Sequence, residues 1–257
     1  MSANWSFFMP ELSLLSWLLL GLGAFSVGLS KTGVPGIGIL NVAIFALVLP
    51  SAKHSVGVVL PILISADIVA VLAYRRQAVW HHLWRLFPWA IAGIIIGFFA
   101  VSRVNDRQVA QLIGAILLTL VALTLWRKWK TKESADAPSV SPVYTGIMGI
   151  AGGFTTMVGN AAGPIMTLYL LAMRLPKMEF IGTGAWYFLL LNWFKVPFMM
   201  QLGWIDKPSL LLSLRLMPFA VCGALFGRAI VRYIDQNWFE RIAIALTVVA
   251  AIKLVLA

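Results

Sequence analysis

Between Val143 and Met173 the chain is apolar, yet its middle does not read as one continuous helix. That middle is Gly152-Gly153-Phe154-Thr155-Thr156-Met157-Val158-Gly159-Asn160-Ala161-Ala162-Gly163-Pro164. Its glycines weaken a helix and its proline lacks a backbone donor. The flanking runs, Val143–Ala151 and Ile165–Met173, are each shorter than the roughly 20 residues a bilayer crossing needs. In hydrocarbon the backbone groups freed by a break must be satisfied by protein or by a water-filled cavity. Transporters use such broken helices, whose half-helix ends hold a substrate or ion. A second break, Ser30-Lys31-Thr32-Gly33-Val34-Pro35-Gly36-Ile37-Gly38, occupies the matching place in the first half. The other segments are expected to frame these two loops.

Composition makes the surroundings a membrane. The 257 residues are 61% hydrophobic and 11% charged, against roughly a quarter charged in soluble domains. The net charge of +11 does not point to nucleic acid, because the basic residues fall in gaps between apolar runs, where the positive-inside bias puts them. Cys222 is the single cysteine and lies in an apolar segment, and His54, His81 and His82 lack ligand spacing. Neither a disulfide framework nor a metal set is expected. His-Glu-x-x-His, Walker A and Gly-x-Ser-x-Gly are absent, so no cofactor, enzymatic role or intrinsic ATP hydrolysis is expected. Met1–Asn4 has no Lys or Arg, unlike the start of a cleaved signal peptide, and the first apolar run reads as a retained helix.

Ten apolar segments follow: Leu12–Leu29, Val34–Leu49, Val56–Tyr74, Leu86–Ser102 and Gln108–Trp126, then Val143–Val158, Ala161–Met173, Phe180–Met200, Leu210–Val231 and Phe239–Ala257. The first two of each half read either as a re-entrant hairpin or as two tilted spans. Residues 1–127 form a first transmembrane repeat and 143–257 a second. The polar, proline-bearing stretch 128–142 links them. The halves match in detail. Arg85-Leu86-Phe87-Pro88-Trp89-Ala90 with Gly93 and Gly97 corresponds to Arg215-Leu216-Met217-Pro218-Phe219-Ala220 with Gly223 and Gly227, at an offset of 130. Gly33 corresponds to Gly159, and Leu49-Pro50 to Leu175-Pro176, at an offset of 126. An internal repeat of this kind fixes the architecture.

Five segments per half, or three if the hairpins do not cross, is odd either way. The second half then enters from the opposite side, giving an inverted repeat. With Lys31, Arg85, Lys195, Arg215 and Lys253 set aside as within or at the edge of apolar segments, connections after odd-numbered segments and their flanks carry Arg75, Arg76, Arg127, Lys128, Lys130, Lys132, Arg174, Lys177, Arg228, Arg232 and Arg241; those after even-numbered segments carry Lys53, Arg103, Arg107 and Lys207. The bias puts the odd connections, including the 128–142 linker, in the cytoplasm and both termini in the periplasm.

A Gly-broken segment, a Leu-Pro turn, a polar-bearing helix and a Gly-x-x-x-Gly helix, given twice, resemble the sulfite exporter TauE/SafE family. The resemblance runs from about Leu15 to Leu256 and is strongest in Gly159-Asn160-Ala161-Ala162-Gly163-Pro164, Leu175-Pro176-Lys177 and Gly182-Thr183. It implies an inner-membrane carrier for sulfite, organosulfonates such as sulfoacetate, and related small anions. The usual Gly-x-Gly-Gly-Gly break is replaced in both halves.

Lys31, flanked by Ser30, Thr32 and Gly33, lies in the first break. A cation at membrane depth costs a few kcal/mol or more and marks a functional site by default, although snorkelling to the cytoplasmic face is the alternative. A point charge with hydroxyls and helix-end amides suits a sulfite or sulfonate. Asn160 holds the second break with Thr155, Thr156 and Gly159; the small residues there either expose amides to a ligand or serve helix packing. Asn192 and Lys195 are three residues apart on one helical face. Asp67, near the position matching Asn192, is read either as a structural partner of Lys195 or as a counter-charge or proton-coupling residue. Arg85 and Arg215 read as interface anchors or anion attractors, and Trp186 and Trp193 as packing or path-lining residues. The reading is a secondary transporter working by alternating access; a channel or a carrier of another small anion is the alternative. Its partners are a small anion and the lipid bilayer, with a coupling proton and a homodimer left open.

Overall fold

The computed structural model describes residues 12–33, 41, 44–45, 48–49, 52–101, 122, 141–235, 237–239, 241–242, 244–245 and 248. The linker residues 128–140 and the second halves of the first break (34–40) and of the last segment (249–257) lie outside them. The described residues form seven continuous helices and no strand. They are α1 (Leu14–Thr32), α2 (Ala52–Tyr74), α3 (Trp80–Val101), α4 (Pro142–Gly159), α5 (Ala162–Ala172), α6 (Lys177–Gln201) and α7 (Lys207–Val231). Four of these, α1, α2 from Ser55, α3 and α7, are long and apolar enough to cross a membrane. Of the others, α4 has 18 residues rich in glycine and threonine, and the 25 residues of α6 include Asn192 and Lys195.

Local signals set the ends. Ser13 caps α1 by accepting from the Ser16 amide, and Ser141 caps α4 ahead of Pro142. Asp206 and Ser209 form a reciprocal capping box at the start of α7, satisfying two amides that no helix turn can reach. Two helices start earlier than expected: α3 at Trp80 rather than Leu86 and α7 at Lys207 rather than Leu210, with Pro88 and Pro218 in their interiors. Interface residues such as His81, Trp84 and Arg85 interrupt the apolar run without interrupting the helix.

The helices pack across the halves. On the first side α1 lies on α7: a Cβ added at Gly28 would sit 1.9 Å from the Ala220 carbonyl oxygen, and one at Gly223 2.1 Å from that of Phe25. On the second side α3 lies on α4: a Cβ at Gly153 would sit 1.9 Å from the Ala90 oxygen, and one at Gly93 2.2 Å from that of Ile150. The repeated Gly-x-x-x-Gly residues therefore serve backbone-to-backbone approach, which drives helix association where lipid removes the hydrophobic incentive. Thr32 adds a hydrogen bond from Oγ1 to the Ala224 oxygen, 2.6 Å.

Between these pairs α2 crosses α6. The start of α2 meets the end of α6, where Gly57 abuts the Trp204 carbonyl. The start of α6 meets the end of α2, where Gly182 abuts Tyr74 and Gln77, and Thr183 accepts from the Val79 amide at 2.9 Å. The two helices run antiparallel, and their middles meet at Asp67 and Asn192.

Candidate functional site

The α4 helix ends at Gly159. Asn160 follows in a left-handed conformation (φ 54°, ψ 26°), and α5 starts two residues later. Pro164 is the third residue of α5, where its missing N–H leaves no helix bond unmade. No side chain caps the N-terminus of α5, so its first amides, at Ala162 and Gly163, are presented at the break. No described atom lies within 4 Å of a Cβ built at Gly159 or Gly163.

Lys195 reaches this break from α6. Its ammonium donates to the Thr156 carbonyl at 3.0 Å, to Thr156 Oγ1 at 3.1 Å and to Asn160 Oδ1 at 2.6 Å. The side chain is wholly buried. Three donors meet three acceptors, and all three acceptors are neutral. Asn160 also donates from Nδ2 to the Val56 carbonyl on α2, 3.1 Å.

The carboxylate of the cluster is engaged elsewhere. Asp67, fully buried on α2, forms an ion pair through Oδ1 with Lys31 Nζ on α1 at 2.9 Å and accepts from Asn192 Nδ2 at 2.6 Å through Oδ2. The alternative that made Asp67 the structural partner of Lys195 is thus corrected: the ion pair is Lys31–Asp67. The Lys31 ammonium also lies 3.8 Å from the centre of the Phe188 ring, a favourable cation–π placement.

Lys31 is not in an unwound loop as expected but in the last turn of α1, with Ser30 and Thr32; Gly33 is the cap, donating to the Leu29 oxygen at 2.9 Å. Ser30 donates to the Val27 carbonyl at 2.7 Å, and Thr155 to that of Gly152 at 3.2 Å. Both hydroxyls are thus used within their own helices. Of the expected residues, the structure gathers Lys31, Asp67 and Asn192 into one set of contacts and Thr156, Asn160 and Lys195 into another. The two sets join along α6, where Asn192 and Lys195 are both buried.

Sequence reasoning did not reach Phe188 or the Val56 carbonyl. Phe188 had a signal, being four residues before Asn192 and seven before Lys195 and so on their face of α6. The carbonyl had none. Trp193 is 57% exposed rather than packed, and Trp186 packs on Trp80 with ring centres 5.0 Å apart. Arg85 and Arg215 are exposed, Arg215 near the ring of Trp17, as interface anchors would be. Among the described residues no group of His, Cys, Asp and Glu is placed to hold a metal.

One buried lysine and one largely buried lysine stand beside a single buried carboxylate, a set of groups that suits an anion. No curated protein and no solved structure matches the chain. Residues 19–254, nearly the whole length, match the family described as Sulfite exporter TauE/SafE, and with its apolar helices the chain belongs to that family as a multi-pass membrane protein of anion transport.

Proposed function

We propose that the chain is a secondary transporter for sulfite or small organosulfonates such as sulfoacetate, working by alternating access in the inner membrane. The carrying observation is Lys195, a buried cation that among the described residues is held by neutral acceptors alone while the neighbouring carboxylate is taken by Lys31. Opposite charges attract far more strongly away from water, and a buried charge without a counter-charge is costly. An anion at the break supplies that counter-charge. The uncapped amides of α5 and the hydroxyl of Thr156 are placed to meet its oxygens.

Lys31 then acts one step back, through Asp67. Protonation of Asp67 would free the Lys31 charge toward the anion, so Asp67 serves as counter-charge and coupling residue. The absence of a nucleotide-binding motif leaves ion or substrate gradients as the driving force. Inverted repeats are supported by the antiparallel crossing of α2 and α6 and by glycine contacts that recur at matching places in the two halves.

Uptake of radiolabelled sulfite and sulfoacetate into proteoliposomes, with and without imposed pH and voltage gradients, tests this reading. Saturable flux that Lys195→Met abolishes is the expected result. Flux without saturation would make the protein a channel, and normal flux in Lys195→Met would remove the anion from this site.

A further inference from the structure

Asn160 links three parts of the molecule through one planar amide. Its backbone forms the break, its Oδ1 takes the shortest of the Lys195 bonds, and its Nδ2 holds the Val56 carbonyl. Val56 lies near the start of α2, beside the point where Gly57 meets the Trp204 carbonyl after α6. Because Oδ1 and Nδ2 share a plane, any turn of the amide that follows loss of Lys195 from Oδ1 also moves Nδ2 away from the Val56 carbonyl.

We propose that Asn160 is a latch opened by the anion itself. The proposal rests on the reading of Lys195 as the anion's counter-charge and adds what happens when the anion arrives. The three donors of Lys195 are already used, so a fourth acceptor must displace one of the three. The Thr156 carbonyl is fixed in the α4 backbone, and Thr156 Oγ1 is on the same residue. Asn160 Oδ1 is a neutral acceptor on a non-helical residue and is the one free to leave. An oxyanion outcompetes it, because charge-assisted hydrogen bonds are roughly twice as strong as neutral ones. The empty site is then tied to α2, and the loaded site is not. A ligand shifts a conformational equilibrium only through such a difference in contacts between states. This difference lets the loaded carrier reorient and holds the empty one back.

Two variants of the full-length protein separate the latch from a structural role. Asn160→Asp gives Lys195 a resident carboxylate. Asn160→Gly keeps the left-handed backbone accessible and removes the competing oxygen. With sulfite and methanesulfonate as probes, wild type is expected to bind and to show flux accelerated by sulfite on the opposite side of the membrane. Asn160→Asp is expected to unfold at a higher temperature than empty wild type and to lose about 100-fold or more in affinity, a shift of about 2.7 kcal/mol. Asn160→Gly is expected to bind at least as tightly as wild type and to lose the acceleration, because its empty form reorients freely. Wild-type affinity in Asn160→Asp, or wild-type acceleration in Asn160→Gly, overturns the latch. Absence of binding to wild type itself overturns the anion reading beneath it.

Discussion

Asn192 donates to Asp67 across 2.6 Å, and the two residues stand 125 positions apart. Gly28 and Gly153 are separated by the same interval, and each packs on the carbonyl of an alanine, Ala220 or Ala90. Lys31 and Thr156 are also 125 apart. In the first half the cation is on α1 and bonds to α2; in the second it is on α6 and bonds back to α4. Lys31 and Thr156 thus hold matching positions but their partners do not, since Lys195 lies three residues beyond Asn192, the match of Asp67; among the described residues only the first half supplies this cluster with a carboxylate.

The Lys31–Asp67 pair yields a stability test. Lys31→Met leaves Asp67 buried without its cation and is expected to cost about 3–5 kcal/mol. Adding Asp67→Asn removes the stranded charge and should recover most of that loss. Unfolding of the purified single and double variants in detergent measures both steps.

Gly28→Ala and Gly153→Ala each drive a methyl group into a backbone oxygen. Overpacking of this kind typically costs about 1–3 kcal/mol. The two losses should be similar. Gly146→Ala, whose nearest neighbour is the Trp89 ring at 3.6 Å, should be tolerated. Comparison of unfolding temperatures decides it.

Gly163 is a different case, with no described atom near its missing side chain. Gly163→Leu is expected to leave the protein folded while reducing anion flux about tenfold or more, or ~1.4 kcal/mol of binding. Parallel unfolding and flux measurements separate the two effects.

Trp193→Ala is the complementary control. The side chain faces outward from α6, and the variant should transport at the wild-type rate in proteoliposomes.

Hydropathy and glycine placement pointed to the described helices and to the interruption at Asn160 before any coordinates. They placed Asn192 and Lys195 on one face of α6 because three residues nearly complete a turn. They did not reveal which cation Asp67 binds. That depends on the depth at which α1 packs against α2, and periodicity along one helix carries no information about its height against another. The early starts of α3 and α7 were hidden for another reason. Trp80, His81, Trp84 and Arg85 are amphipathic interface residues, and their polarity reads as loop although their backbone is helical. At α7 the Asp206–Ser209 spacing was the available clue.

The exchange of partners between halves also limits how the protein can move. With α1 seated on α7 and α4 on α3 at backbone distance, neither half of the sequence can swing as a unit without tearing two glycine seams. Any rocking motion has to be divided along other lines: α1 travels with α7, α4 with α3, and the slip plane runs through the polar crossing of α2 and α6. Bodies divided in this way would be mosaics of both halves of the sequence, although each half is a contiguous stretch of chain.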